Sequence, residues 1–153
     1  MIDRNRFRDA LTRWASGVTV VAYRTDERVV ATTVSAFMSL SLEPPLVLIA
    51  LGPNATVRPY LQPGATFAIS VLGADQKRLA MVFADPFPVG PDPFPAAGAP
   101  VIDGALMGMT CEVERVNEGG DHAIVIAAVH DAVVGGRDSP LVRYDRKYVG
   151  LDA

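Results

Sequence analysis

The residues with most to offer chemically form one run, Thr32-Thr33-Val34-Ser35-Ala36-Phe37-Met38-Ser39-Leu40-Ser41, followed by Leu42-Glu43-Pro44-Pro45. If the chain stays extended here, Thr33, Ser35, Phe37, Ser39 and Ser41 share one face. Small hydroxyls on one face leave space for a large flat ligand. They hydrogen-bond its polar ring edges and can meet a phosphate at one end. Thr and Ser are also ordinary strand and turn residues with no ligand to serve. The spacing leaves both readings open.

Stronger acid–base or metal chemistry lacks its residues. The chain has two histidines, His122 and His130, and one cysteine, Cys111. That excludes an internal disulfide and argues against zinc held by thiolates or by two or three imidazoles. Asp121 and His122 are adjacent, and strand neighbours point to opposite faces, so they are not expected to act as orienter and base. Cys111 lies in the strand-like run Met109-Thr110-Cys111-Glu112-Val113 and reads as a small buried hydrophobe. No GxGxxG follows a strand, and GxxxxGK[ST], HExxH and GxSxG do not occur. With 14 basic against 17 acidic residues and a formal charge of -3, no basic face for nucleic acid is expected. Charged residues run through Arg13 without an apolar stretch behind them, so no signal peptide, no membrane span and a cytoplasmic location are expected.

These residues must be positioned by a chain of 153 residues, half of them hydrophobic, enough for one domain with a substantial core. Residues 3–15 read as an amphipathic helix, with Asp3 as N-cap, Phe7, Leu11 and Trp14 on one side, and Gly17 as its end. The period then changes to that of strands. Gly17–Tyr23, Arg28 to about Phe37, Leu46–Leu51 and Thr66–Leu72 are rich in β-branched residues. Leu46–Leu51, apolar on both faces, is expected to be central in its sheet. Asn54–Leu61 is expected as a short helix or turn capped by Asn54, and Gln76–Phe83 as a helix capped by Asp75. Residues 85–100 hold six of the 12 prolines and repeat Asp-Pro-Phe-Pro at Asp85 and Asp92, so they read as a loop. Two long strands follow, Leu106 to about Val116 and His122 to about Val134, joined by Asn117-Glu118-Gly119-Gly120. A last segment, Leu141–Leu151, carries Tyr144 and Tyr148. Six or seven strands joined mostly by hairpins, with two or three short helices, point to a barrel or sandwich.

Thr32 to Leu51, TTVSAFMSLSLEPPLVLIAL, resembles the signature of the flavin reductase-like, FMN-binding split-barrel family. Further matches come in order: GVTVV at Gly17–Val21, FAISVLGADQKRLAMVFA at Phe67–Ala84, GDHAIVIAAV at Gly120–Val129 and PLVRYDRKYVGL at Pro140–Leu151. The resemblance covers nearly the whole chain. It implies a six-stranded antiparallel split β-barrel of Greek-key type that forms a homodimer with one flavin per subunit near the interface. It also implies reduction of FMN or FAD by NADH or NADPH, with reduced flavin passed to a partner monooxygenase.

Carried over by the same resemblance, Thr32, Thr33, Val34, Ser35 and Ala36 line the flavin ring, and Ser39, Leu40 and Ser41 hold its phosphate. Ala50, Leu51 and Gly52 lie along the ribityl chain. Asn54 and Arg58 are further contacts to the phosphate, beside a helix N-terminus that favours an anion. Phe83 packs near the flavin or is a plain core aromatic. His122 of the Gly-Asp-His motif sits by the nicotinamide or flavin ring, and Tyr148 matches the C-terminal aromatic that reaches a partner subunit's site. His130 matches nothing and reads as structural. Two features depart from the family pattern: Ala127 stands where a glycine is common, and the Pro-rich residues 85–100 lie outside the signature. Two other activities compete with the reductase: a flavoprotein with its own substrate and tightly held flavin, and a flavin- or heme-binding module without turnover.

Overall fold

Alternation of buried side chains builds the molecule. The computed structural model describes residues 1–136 and 139–151. After helix α1 (Arg4–Leu11) come strands β1 (Ser16–Gly17), β2 (Thr19–Arg24), β3 (Val29–Val34), β4 (Phe37–Leu42), β5 (Pro45–Leu51) and β6 (Thr66–Val71). Helix α2 (Lys77–Ala84) is entered through a 3₁₀ turn, and β7 (Met107–Gly119), β8 (His122–Val134), β9 (Leu141–Tyr144) and β10 (Lys147–Gly150) complete the chain. Seven strands form one antiparallel sheet in the order β3-β2-β6-β7-β8-β5-β4, and β1, β9 and β10 form a second. The chain is mainly antiparallel β with the split-barrel fold, as the sequence leads one to expect.

Strand β2 serves two cores because every one of Thr19–Ala22 is buried. Val21 faces the barrel interior with Val30, Val34, Ile49, Phe67 and Val125. Val20 and Ala22 face the other way, packing with Ala31, Leu72 and the buried α2 side chains Ala80 and Phe83. This period-two division is what a strand covered on both faces requires. Ala127, at the position where a glycine is common, is fully buried opposite Val47 in the barrel core, so its methyl packs there. Cys111 is likewise buried, and burial pushes its thiol up to about 12.

Several local expectations change. Helix α1 is capped by Asp3, whose carboxylate accepts from the amides of Asn5 and Arg6, but it stops at Leu11. The Thr12 hydroxyl donates to the Asp9 carbonyl, and Ser16–Gly17 is drawn into pairing with Val142–Arg143. The apolar side of α1 is not buried: Phe7, Leu11 and Trp14 are exposed. Of the short helix or turn expected at Asn54–Leu61 the structure has turns, and Asn54 caps no helix. They are successive four-residue turns, Arg58 amide to Ala55 carbonyl and Tyr60 amide to Val57 carbonyl, anchored by buried Val57 and Leu61. Nor does Asp75 cap α2. Gly73 caps the 3₁₀ turn that leads into the helix, its amide donating to the Gln76 side chain at 2.9 Å, and Gln76 stands at the N-cap position of α2. The β9–β10 hairpin turns on Asp145 and Arg146, both with positive φ, the geometry that matches strand twist in a two-residue turn.

Candidate active site

The proposed single extended strand from Arg28 to Phe37 is broken, and the break makes the site. Strand β3 ends at Val34, Ser35 and Ala36 leave the sheet, and β4 begins at Phe37. The Phe37 amide returns to the Ser35 carbonyl at 3.0 Å and the Ala50 amide to the Ala36 carbonyl at 2.9 Å. The expected common face of Thr33, Ser35, Phe37, Ser39 and Ser41 therefore does not exist. Thr33 points toward α2 and donates to the Ala80 carbonyl at 2.7 Å, whereas Phe37 packs against the barrel interior. A register shift between Ser39 and Ser41 changes the alternation again within β4.

A cleft of about 190 Å³ opens where the two ends of the large sheet approach each other. Residues 32–36 form one wall, Ala50, Leu51 and Gly52 the other, with Ala55 and His122 at its border. Eight residues singled out in the sequence for the flavin ring and ribityl chain, Thr32–Ala36 and Ala50–Gly52, thus come together with His122. The Thr32 hydroxyl is already engaged by Thr56 at 2.7 Å, and Thr56 also donates to the Ala31 carbonyl at 2.9 Å. With both threonine hydroxyls tied to protein, the cleft offers a ligand chiefly the Ser35 side chain and the backbone at 34–36.

His122 opens β8 beside the two-residue turn of Gly120 and Asp121, where Gly120 takes φ +68°. Because Asp121 lies in the turn, strand alternation does not separate the two side chains. Its Oδ1 lies 2.6 Å from His122 Nδ1, so the pair is an oriented one, contrary to the expectation from adjacency. The hydrogen bond to His122 holds the exposed Asp121 carboxyl below its usual range. An ionised carboxylate accepts, so Nδ1 carries the shared proton and Nε2 turns to the cleft. A methyl placed on Gly52 would lie 3.5 Å from Nε2, which marks how closely the ring borders the ribityl-side wall.

The remaining expected residues lie elsewhere. Arg58 donates to the Asp121 carbonyl at 3.1 Å and so ties the turn of residues 53–61 to the His122 hairpin. No helix begins at Asn54, so no helix N-terminus stands there to attract a phosphate. Ser39, Leu40 and Ser41 lie on β4, the terminal strand, beyond the cleft lining. Phe83 lies on the buried face of α2 and packs on Phe94, with ring centroids 5.5 Å apart. Tyr148 lies in the small sheet under the Arg143 guanidinium, 4.9 Å from its ring centroid. Sequence reasoning missed Ala55, Thr56 and the part played by Asp121. The Gly-Gly-Asp turn was the available signal for Asp121, whereas nothing local marks Thr56.

The model of the Flavin reductase like domain matches residues 11–152, and the chain belongs to that family. It is 39% identical over 145 residues to the reductase component of 4-hydroxyphenylacetate 3-monooxygenase from Thermus thermophilus, covering 95% of each chain. A solved flavin reductase, PheA2, in its native state superposes with a TM-score of 0.86 at 33% identity, covering 99% of this chain and all 100% of the other. The NADH:FAD oxidoreductase SgcE6 of Streptomyces globisporus, solved in complex with NAD and FAD fragments, has a TM-score of 0.82 at 35% identity, covering 95% and 91%. Among the described residues no helix is long and apolar enough to cross a membrane.

Proposed function

We propose that the chain is an NAD(P)H:flavin oxidoreductase, the reductase component that supplies reduced FMN or FAD to a partner oxygenase. The observation that carries this reading is the convergence of residues 32–36, 50–52 and His122 on one cleft in a family member matched over residues 11–152. The residues present fit a flavin: two backbone walls approach without large side chains between them, and Gly52 keeps the imidazole border open. When bound, flavin supplies the electron-accepting ring and the reduced nicotinamide supplies the electrons, so the protein needs no strong acid or base of its own.

What this chain contributes is position. The backbone at Val34–Ala36 and the Ser35 hydroxyl hold the polar edge of the ring, and Ala50–Gly52 guide the ribityl chain. Ser39, Leu40 and Ser41 meet the phosphate where β4 continues from the cleft, with Asn54 and Arg58 as further contacts. Asp121 fixes the His122 ring, and His122 Nε2 would hold the nicotinamide amide at the border of the cleft. Phe83 acts through the core beneath β3 without touching the cofactor. A cleft of about 190 Å³ is below the roughly 300–1,000 Å³ of enclosing ligand pockets.

A homodimer completes the picture. The exposed apolar side chains Phe7, Leu11 and Trp14 of α1, and Met38, Leu40 and Leu42 of β4, are more than a monomer of this size needs to leave in water. Tyr148 is assigned to the site of the second subunit. Sedimentation equilibrium is expected to give twice 16.3 kDa, and a monomer at micromolar concentration contradicts the dimer. The reductase reading itself is tested by NADH and NADPH oxidation with and without added FMN, FAD or riboflavin. Consumption that depends on added flavin supports it. No consumption with any pairing removes it.

A further inference from the structure

The two Asp-Pro-Phe-Pro units fold alike. The Phe87 amide donates to Asp85 Oδ1 at 2.8 Å, and the Phe94 amide donates to Asp92 Oδ1 at 2.9 Å. Their rings differ in use. Phe94 is seated on Phe83, whereas Phe87 is 82% exposed and Val89, two residues on, is 87% exposed. The backbone beneath them is nonetheless stiff. Pro86 and Pro88 have fixed φ angles, and the Asp85 amide is tied to the Val82 carbonyl in the last turn of α2 at 3.2 Å. Phe87 and Val89 thus form a short apolar ridge held out into solvent.

The ridge lies between two open cavities of about 490 and 460 Å³, and both of its side chains line each of them. The first cavity runs along the outer face of α2. Ala80 and Phe83 bury the inner face, which leaves Lys77, Arg78 and the exposed Met81 outward, with Met81 one helical turn from Lys77. The second is bounded by Arg28 and β3. Cations therefore stand on both sides of the ridge. The Lys77, Arg78 and Arg28 side chains have no ion pair or hydrogen bond among the described residues. Among the described residues Asp85 is the one carboxylate that lines either cavity, and its Oδ1 already accepts from the Phe87 amide; Asp26, Glu27 and Asp75 line neither. On a chain of formal charge -3 this is a local excess of positive charge around an apolar ridge.

Two side chains more than four-fifths exposed enclose no small ligand; they are shaped to be enclosed. A stiff, protruding aromatic with a charged rim has the make-up of an interface anchor, because its ordering cost is already met. Its place in the fold selects the partner. Ala31 and Thr56 border the second cavity, and their chain neighbours Thr32 and Ala55 line the ring cleft. The two spaces need not join: a protein that encloses the ridge sits beside the cleft. We propose that the Phe87–Val89 ridge is the docking point of the oxygenase that takes the reduced flavin, and that the oxygenase meets it with an apolar groove rimmed by Asp or Glu side chains. Phe87 fills the groove, Met81 extends the apolar contact, and Lys77, Arg78 and Arg28 face the carboxylates, which speeds encounter and fixes orientation. The inference rests on the reductase reading above.

The full chain with the photo-crosslinker p-benzoylphenylalanine in place of Phe87 is irradiated in cells of the source organism, and the adduct is identified by mass spectrometry. The expected adduct is a flavin-dependent oxygenase. That oxygenase, purified, is then bound to immobilised wild-type protein and to the variants Phe87→Ala, Phe87→Trp and Lys77→Glu/Arg78→Glu. Affinity is expected to fall about tenfold or more in Phe87→Ala, chiefly through faster dissociation, and to recover in Phe87→Trp. The charge-reversed variant is expected to associate more slowly at low salt and to lose the salt dependence of the wild type. An adduct with a second copy of the chain alone, no adduct with an oxygenase, or an oxygenase that binds all four proteins equally overturns the proposal. NADH oxidation with added FMN, measured on the same preparations, keeps the two claims separate. It is expected at the wild-type rate in every variant, since none of these residues lines the ring cleft. Its absence in the wild type removes the reductase reading, and its persistence alongside equal oxygenase binding removes only the docking surface.

Discussion

Thr56→Val tests whether the wall of the cleft is held by the hydroxyl pair. Valine keeps the shape of threonine and puts a methyl group in place of the hydroxyl, so the side chain's volume is retained. Two hydrogen bonds disappear, the 2.9 Å donation to the Ala31 carbonyl and the 2.7 Å contact with Thr32. Each neutral bond contributes about 0.5–1.5 kcal/mol net, so the expected loss is roughly 1–3 kcal/mol. For a chain of this size that lowers Tm by roughly 2–10 °C, measured at fixed protein concentration because a dimer's Tm depends on it. Thr32→Val removes only the shared bond and should cost less. The double variant should fall short of the sum, because both single changes delete the same contact. FMN affinity, read by flavin fluorescence, should drop about three- to tenfold as residues 32–36 lose their tie to the turns at 53–61. A Thr56→Val protein with unchanged Tm and unchanged FMN affinity would falsify this account of the wall, and strict additivity would deny the Thr32–Thr56 bond.

His122→Ala should raise the KM for the nicotinamide and lower turnover, while flavin affinity and Tm stay nearly intact because the imidazole is 44% exposed; a large fall in Tm with unchanged kinetics makes the residue structural. Asp121→Asn should follow it in direction, since the 2.6 Å bond to Nδ1 is what orients the ring. In the wild type the Asp121 carboxyl is held below its usual range, so its contribution is present above the unfolded carboxylate range and fades as pH falls through the lower folded value. The acid limb of the KM profile should therefore flatten in Asp121→Asn, and an identical limb contradicts the pairing. Replacing Ser39 and Ser41 together by alanine removes two donors to a charged group, each worth about 1.5–3 kcal/mol. FMN affinity should fall at least tenfold and riboflavin affinity far less; equal losses place the phosphate elsewhere. Cys111, buried with its thiol pushed up to about 12, should resist disulfide reagents at pH 8 in the folded protein and react once on unfolding; rapid reaction without unfolding contradicts its burial.

Strand periodicity in the sequence located most of the barrel, because β2, β5 and β6 alternate or run apolar as the two cores demand. It misjudged segments whose ends are decided by partners far along the chain. Helix α1 stops at Leu11 because the residues after it pair with β9, and no local signal near Arg13 announces that partner. The run from Thr32 to Ser41 showed its small hydroxyls but not their targets. Thr33 turns to α2 and Thr32 to Thr56, contacts separated by 47 and 24 positions in sequence. The ring-binding residues implied by the family resemblance gather for the most part into one cleft, whereas Phe83 and Tyr148 lie in other parts of the fold. Strand alternation does not reach Asp121, which belongs to the turn before β8, so adjacency to His122 does not separate the two side chains.

The most direct test of the central claim is an anaerobic stopped-flow mixing of the purified protein, one flavin equivalent and NADH, following flavin absorbance. The account predicts bleaching of the oxidised flavin band many times faster than with NADH alone, with His122→Ala slowed at limiting NADH. Bleaching no faster than in the absence of protein, with FMN and FAD and with NADH and NADPH alike, contradicts it.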